Sequence, residues 1–221
     1  MSRATLAAPP LHRCPLAEID DPDADLLARL ARGEPQAARE LVERKLPRLL
    51  GLAQRLLGNR AEAEEVAQEG LVRAWQQVGH WRPGQARFDT WLHEVVLNLC
   101  RDRLRRRAVR REEALDEHAE AAAFADPGPT PEQQLDHAQH SARVAAALDA
   151  LPPRQREALV LHYYQALPQT EAAALMGVSV DALESLLARA RRSLRARLQD
   201  ASTSTSAIAA PAPADPGGSP P

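Results

Sequence analysis

The stretch DTWLHEVVLNLCRDRLRRR, residues 89–107, combines two patterns in one segment. In its first half, apolar residues recur every three or four positions, which is the spacing that gathers them on one face of an α-helix. After Leu99 the other faces carry arginine, and Asp102 is the only acid there. We therefore expect a helix that is capped by Asp89 or Thr90, reaches about Arg111, buries its apolar stripe and presents cations to a phosphate-bearing partner. The stripe consists of Trp91, Leu92, Val95, Val96, Leu99 and Leu104.

The rest of the 221-residue chain also has the composition of helices. Ala, Leu, Glu, Arg and Gln are abundant, and alternating Val/Ile/Thr runs are almost absent, so the predicted fold is all-α. Changes in composition predict two small helical domains joined by a flexible linker, with helices in the second domain at roughly 131–151, 153–166, 169–176 and 180–198. The expected divisions are a disordered arm at 1–20, a first domain at 21–111, a linker at 112–129, a second domain at 130–199 and a disordered tail at 200–221.

The spacing of small and apolar residues in the second domain predicts a helix-turn-helix. Ala173 permits close approach of two helices, Gly177 four residues later suits a left-handed turn, and Leu183 can lock the crossing. Ser179 is the expected N-cap of the second helix. An αα-hairpin without a DNA role has the same spacing, but the arginines at 189–197 favour a DNA-reading helix.

An aromatic and basic loop precedes the opening helix. Trp81 and Phe88 lie beside Arg82 and Arg87, and aromatic rings next to cations can stack unpaired bases while the cations hold phosphates. The alternative is that Trp81, Phe88 and Trp91 only close the core.

A predicted helix at 61–78 carries an acidic stripe. Glu62, Glu65 and Glu69 follow one another at helical spacing beside Gln68, and such a surface repels DNA. The stripe therefore indicates either a separate protein partner or a merely solvated face. The residues expected on the inner side of this helix are Val66, Leu71, Val72 and Trp75.

The sequence offers little for catalysis, metal binding or export. It has no glycine-rich phosphate loop, nucleophile elbow or paired-cysteine spacing, so we expect neither an enzyme nor a bound metal or cofactor. Cys14 and Cys100 are the only cysteines, and no long apolar run or signal peptide is present. These features predict a cytoplasmic protein without membrane insertion.

With these motifs in place, residues 25–198 resemble the extracytoplasmic-function (ECF) sigma factors, a compact class of bacterial transcription initiation factors. EEVAQEGLVRAW resembles the segment that grips the β′ clamp helices of core RNA polymerase, which implies contacts by Glu65, Gln68 and Glu69. In this helix Gly70 departs from the Thr or Ala that is common in the family. FDTWLHEVVLNLCRDRLRRR and the loop before it resemble the part that captures a flipped base and melts the −10 element. The implied −10 contacts are Trp81, Arg82, Phe88, Asn98, Arg101, Asp102 and Arg105.

The segment from 148 to 195 resembles the second sigma domain, whose last helix reads the −35 element of promoter DNA and whose other face meets the polymerase β flap. Glu184 and Leu186 depart from the basic residues common in the family, which leaves base preference open. The resemblance further implies regulation by an anti-sigma factor. The implied −35 contacts are Ser179, Asp181, Ser185, Ala188, Arg189 and Arg192.

Two other functions compete with this interpretation. A helix-turn-helix regulator would bind duplex DNA without polymerase, but it leaves the acidic stripe and aromatic loop without a role. A sigma-like decoy would bind only an anti-sigma factor, and its DNA-facing arginines would then be dispensable.

Overall fold

The computed structural model describes residues 21–82, 87–113 and 142–208. All regular structure within these ranges is helical, as the sequence predicts. The predicted arm at 1–20 and most of the predicted linker lie outside the described residues. The helices are α1 (Ala24–Ala31), α2 (Pro35–Leu57), α3 (Arg60–Val78), α4 (Phe88–Glu113), α5 (142–149), α6 (Pro153–Leu159), α7 (Gln169–Met176) and α8 (Val180–Ile208), and a π-helical turn (Val160–Tyr164) follows α6 directly.

Helices α1–α4 form the N-terminal domain, and local residues explain where its helices end. Gly58 ends α2 in a left-handed conformation, with φ of 63°, and its N–H donates to the carbonyl of Gln54. Asn59 then caps α3, because its side-chain oxygen accepts from the N–H of Glu62 at 3.1 Å. The chain therefore reverses between α2 and α3 within two residues.

Three predicted boundaries are wrong. Helix α4 begins at Phe88, so neither Asp89 nor Thr90 is its cap, and the Asp89 carboxylate instead contacts Lys45 and Arg48. The predicted helix at 153–166 gives way to the π-helical turn before Ala166, which has a positive φ of 53°. Helix α8 continues to Ile208, so the part of the predicted disordered tail up to that residue is helical, and no Gly or Pro interrupts the sequence there.

The two domains pack against each other and share one hydrophobic core. Leu52 of α2 and Leu97 of α4 belong to the same cluster of buried side chains as Leu161 of the π-helical turn and Leu183 of α8. Hydrogen bonds reinforce this contact: Arg156 of α6 donates to the carbonyl of Leu56 at 3.0 Å. We call this arrangement of the domains the closed form.

Candidate nucleic-acid interface

The basic half of α4 has two kinds of arginine. Arg105 and Arg106 are exposed, as a phosphate-binding surface requires, and Arg105 pairs with Asp102 one turn away. Arg103 and Arg107 instead reach back to the acidic stripe of α3, where they pair with Glu65 and Glu62, each at 2.8 Å. The acidic stripe and the basic run, which the sequence presents as separate surfaces, are therefore partly neutralised by each other.

Arg101 is engaged with the C-terminal domain. One of its guanidinium nitrogens donates to Asn98 at 3.0 Å, and the other donates to the Glu157 carboxylate and to the carbonyl of Leu175 at 3.1 Å. Asn98 and Arg101 are both predicted −10 contacts. In the closed form, α6 and α7 supply two hydrogen-bond acceptors to Arg101, so its guanidinium is already occupied.

Trp81, which precedes α4, forms an aromatic cluster with Phe88 and Trp91 of the first turn of α4. The Trp81 and Phe88 rings meet edge to face with their centroids 5.2 Å apart, and the centroids of the Trp81 and Trp91 rings are 5.7 Å apart. Phe88 has no exposed surface, and its N–H donates to Asp21 at 2.8 Å. The predicted contact of Phe88 with DNA is therefore wrong for this structure: Phe88 is a core residue that supports Trp81. Trp81 is half-buried and Arg82 is exposed, so these two remain accessible to DNA.

Helix α3 presents an exposed stripe that is polar at its N-terminal end and apolar at its C-terminal end. Glu65 and Gln68 are exposed, and the same stripe continues through Val72 and Trp75, whose exposed fractions are 54% and 56%. The prediction that Val72 and Trp75 point inward is wrong, because small residues suffice for the buried face. Glu69 lies beside the stripe, half-buried and paired with Arg73 at 2.6 Å. The buried face consists of Ala63, Val66, Ala67, Gly70, Ala74 and Val78.

The helix-turn-helix forms as its spacing predicts. Gly177 has a φ of 62°, Leu183 is fully buried, and the Ser179 hydroxyl accepts from the N–H of Ala182 at 3.1 Å. Leu186 is half-buried against the core, so its side chain is not free to read bases. The exposed side of the second helix carries Asp181, Glu184, Ser185, Ala188, Arg189 and Arg192.

A polar cluster that sequence reasoning missed joins the domains on the other side of α4. The Gln165 carbonyl accepts from Arg48 at 2.8 Å, the Gln165 side chain donates to the Arg48 carbonyl at 3.2 Å, and its oxygen lies 3.1 Å from Nε2 of His93. The sequence gives no signal for it, because Gln165 is 72 residues from His93 and the contact depends on domain packing.

Asp89 anchors the same cluster. Burial favours the neutral form of its carboxyl, but the hydrogen bond and charge of Lys45, with contributions from His93 and Arg48, outweigh that effect and hold the pKa of Asp89 below its usual value. Asp89 is therefore an ionised partner for the cations around it.

Metal-binding and nucleophilic groups were sought among the described residues. No group of three or more His, Cys, Asp or Glu side chains in them is placed to bind a metal ion. Burial, with a smaller effect of Glu157, raises the pKa of the Cys100 thiol to about 12, so this thiol is protonated at neutral pH. None of the described helices has the length and apolarity to cross a membrane.

Comparison with known proteins assigns both domains. Residues 41–110 match the family model for Sigma-70 region 2, and residues 141–194 match that for Sigma-70, region 4. The chain is 38% identical over 166 residues to the ECF RNA polymerase sigma factor SigE of Mycolicibacterium smegmatis. This match covers 75% of the chain and 63% of SigE, so the chain spans less than two thirds of that relative.

Two further matches cover most of the length of the protein that is matched. RNA polymerase sigma factor CnrH of Cupriavidus metallidurans is 35% identical over 183 residues, which are 81% of this chain and 95% of CnrH. The solved structure of CnrH in complex with the cytosolic domain of CnrY has a TM-score of 0.58 and 30% identity, and the match covers 80% of this chain and 97% of that one.

The matched regions define a sigma-70 initiation factor with domains 2 and 4. Within that class the chain belongs to the ECF RNA polymerase sigma factors. It binds RNA polymerase and directs promoter-specific initiation of transcription. Sigma factors are in general initiation factors without enzymatic activity of their own.

Proposed function

We propose that three surfaces of this sigma factor divide the work of initiation, and that the protein performs no covalent chemistry. The observation that carries the proposal is the coexistence of the exposed α3 stripe, which does not suit DNA, with the exposed reading helix α8, which does. A regulator that bound duplex DNA alone would need only the second surface. The proposed divisions are region 2 at 21–111, a linker at 112–129 and region 4 at 130–199.

The α3 stripe is the proposed contact with the β′ clamp helices of core polymerase. Glu65, Gln68 and Glu69 supply polar and charged groups, and the exposed Val72 and Trp75 add apolar area at its C-terminal end. Buried aromatic anchors dominate the binding energy of most protein interfaces. We therefore assign Trp75 as the main anchor of this contact.

The −10 element is the proposed ligand of the loop before α4 and of α4 itself. Trp81 offers an aromatic face for a flipped base, and Arg82 and Arg105 offer cations for the backbone. Melting would then draw its free energy from these contacts. Asn98, Arg101 and Asp102 complete the set, and Arg101 must first exchange Glu157 for DNA.

The −35 element is the proposed ligand of the exposed side of α8, and the opposite side of region 4 is the proposed contact with the β flap. Arg189 and Arg192 supply charge for phosphates, and Glu184 disfavours guanine-rich edges by presenting acceptors only. The remaining proposed −35 contacts are Ser179, Asp181, Ser185 and Ala188.

Opening of the closed form is required by promoter geometry. The −10 and −35 elements are about two turns of duplex apart, on the order of 70 Å. In the closed form α4 and α7 are in direct contact through Arg101 and Leu175. The domains must therefore separate for both elements to be read at once.

We also propose that the protein acts in the cytoplasm, where core polymerase is, and is held inactive there by an anti-sigma factor. Support for such a partner comes from CnrH, which was solved with the cytosolic domain of CnrY bound.

Run-off transcription tests the proposal. Core polymerase from a bacterium is given a library of candidate promoters with the wild type, with Gln68→Ala plus Trp75→Ala, or with Gln36→Ala as an exposed control on α2. We expect specific transcripts with the wild type and the control only. Sequence-specific binding to duplex DNA without initiation would favour the helix-turn-helix regulator. The absence of both initiation and DNA binding would favour the sigma-like decoy.

A further inference from the structure

Asp21 precedes the residues that match region 2, and its carboxylate contacts the beginning of α4. Its Oδ2 accepts from the backbone N–H of Phe88 at 2.8 Å, and its Oδ1 accepts from the backbone N–H of Asp23 at 3.0 Å. Only 8% of Asp21 is exposed. A residue 67 positions earlier in the chain therefore supplies a hydrogen-bond acceptor to the first residue of α4.

The residue directly before α4 cannot cap it. The first N–H groups of a helix have no partner inside the helix, and a short polar side chain at the preceding position usually accepts from one of them. Arg87 has that position here, and a guanidinium has donors only. Asp89 in the first turn is engaged with Lys45 and Arg48. Loss of the Asp21 carboxylate therefore removes the acceptor of a buried N–H group.

A buried ion network holds Asp21 in place. Asp23, whose N–H donates to Asp21, pairs through its own carboxylate with Lys45 of α2. Lys45 also pairs with Asp89 of α4 at 2.8 Å. Asp23 and Lys45 are 4% and 8% exposed, and breaking such a buried network leaves a charge without its partner. The segment before α1 is thus joined to the start of α4 at two points.

Phe88 connects this anchor to Trp81. The Phe88 ring is fully buried, and it meets the Trp81 ring edge to face with the centroids 5.2 Å apart. Phe88 is also the first residue of α4, and helix ends are where a helix frays most easily. Fraying of α4 at Phe88 would therefore move the ring against which Trp81 packs.

We propose that Asp21 is a positioning residue for recognition of the −10 element. It caps α4 from outside the matched region 2 and thereby holds Phe88 and Trp81 in the arrangement that receives a base of the −10 strand. The inference rests on the proposed function of Trp81, whereas the cap itself does not depend on that function. Because Asp21 acts through Trp81, its loss should weaken capture of the −10 strand and leave the affinity for core polymerase, which is proposed to use α3, unchanged.

NMR of the full chain without DNA tests the placement of Trp81. The measured quantities are the indole N–H resonance of Trp81, assigned by its loss in Trp81→Ala, and the hydrogen-exchange rate of the Phe88 amide. We expect Asp21→Ala to shift that resonance and to speed the exchange about five- to tenfold, as loss of a cap implies. Asp25→Ala, which removes an exposed acid from the first turn of α1, should change neither.

A second variant carries the same test if Asp21→Ala does not fold. Asp21→Asn retains the shape of the side chain and one acceptor oxygen for two donors, so it should change both quantities in the same direction but less. An unchanged Trp81 resonance and an unchanged Phe88 exchange rate in both variants would overturn the proposal. This measurement uses neither polymerase nor promoter DNA, so it stands even if the proposed function fails.

A double-mutant cycle tests the consequence for DNA. Holoenzyme made from core polymerase and each variant is titrated with the single-stranded −10 oligonucleotide of a promoter found by run-off transcription. Asp21→Ala should weaken binding about fivefold in the wild-type background and about twofold or less in the Trp81→Ala background. Equal losses in both backgrounds would overturn the proposal, because Asp21 would then support region 2 in general. Unchanged binding in Trp81→Ala would overturn the proposed function of Trp81 and this consequence with it, while the NMR measurement would still decide whether Asp21 places Trp81.

Discussion

The guanidinium of Arg101 in region 2 and the carboxylate of Glu157 in region 4 form an ion pair across the domain boundary. Glu157 is buried, and the same Arg101 nitrogen also donates to the carbonyl of Leu175. A residue proposed to meet the −10 element is thus held by the domain proposed to read the −35 element. This contact makes the closed form and promoter binding alternatives for one guanidinium.

Weakening this ion pair should open the protein. Glu157→Gln retains the shape of the side chain but removes the charge, and loss of a charge-assisted hydrogen bond costs about 1.5–3 kcal/mol. We expect the closing equilibrium to weaken by at least tenfold, as measured by small-angle scattering, and alkylation of the buried Cys100 to become faster in a Cys14→Ser background. Glu171→Gln on α7 is the matched control. Unchanged scattering would mean that the apolar core alone holds the domains together.

Trp75→Ala should separate polymerase binding from stability. Trp75 is 56% exposed, so its truncation should leave the thermal midpoint nearly unchanged. If it is the anchor of the clamp-helix contact, its loss should cost about 2 kcal/mol of binding, or roughly 30-fold in Kd for core polymerase. Titration of labelled core polymerase gives the affinity, with Gln36→Ala as control. A large loss of stability with unchanged affinity would contradict this role.

Local sequence patterns predicted the helices and the helix-turn-helix. They did not predict which side chains are buried or how the domains contact each other, because tertiary packing determines both. Ser179, Gly177 and Leu183 have the predicted roles because a cap, a left-handed turn and a crossing depend on a few neighbouring residues. Trp75 was assigned to the wrong side of α3, because periodicity does not say which apolar residues a neighbouring helix covers. Phe88 is buried, which is the alternative that the sequence left open beside the DNA contact implied by resemblance.

The domain interface had no local signal at all. Arg101 and Glu157 are 56 residues apart, and either alone reads as an ordinary surface charge. The partial neutralisation of the basic run by Glu62 and Glu65 likewise follows from the packing of α3 on α4. Residues assigned to DNA and polymerase by resemblance are thus connected to each other in a way that the sequence does not reveal.

Two positions with positive φ should respond in opposite directions to exchange of Ala and Gly. Ala166 has a φ of 53°, which costs a residue with Cβ about 1–2 kcal/mol, so Ala166→Gly should stabilise the protein by about 0.5 kcal/mol after the entropy of glycine is subtracted. Gly177→Ala should destabilise it by about 1 kcal/mol, because its φ is 62°. Urea unfolding measures both. The same sign for both variants would contradict this account.

The Asp89 carboxylate should make stability depend on acid pH. Its folded pKa lies below its usual value of about 3.9, so its contribution is present above about pH 4 and is lost as pH falls through the folded pKa. Asp89→Asn should therefore be less stable than the wild type at pH 7, and the difference should shrink toward pH 2. Urea unfolding at a series of pH values measures this, with the exposed Asp25→Asn as control. A difference that does not change with pH would contradict the role of the charge.

Glycine should be required at position 70 because α3 approaches α4 closely there, and not because the backbone has a conformation that only glycine adopts. A Cβ at this position would lie 2.7 Å from Cγ2 of Val96, which is closer than packed atoms tolerate. Gly70→Ala should therefore destabilise the protein by about 1–3 kcal/mol, although alanine is the better helix former by about 1 kcal/mol.

A double-mutant cycle identifies the clash as the cause. Val96→Ala removes the opposing methyl groups, so the double variant should be at least about 1 kcal/mol more stable than the sum of the two single changes implies. Gly79→Ala is the control, since a Cβ there meets nothing within 4 Å. Additive effects would mean that Gly70 serves α3 in some other way, and a stabilised Gly70→Ala would mean that α3 and α4 can move apart without loss of packing.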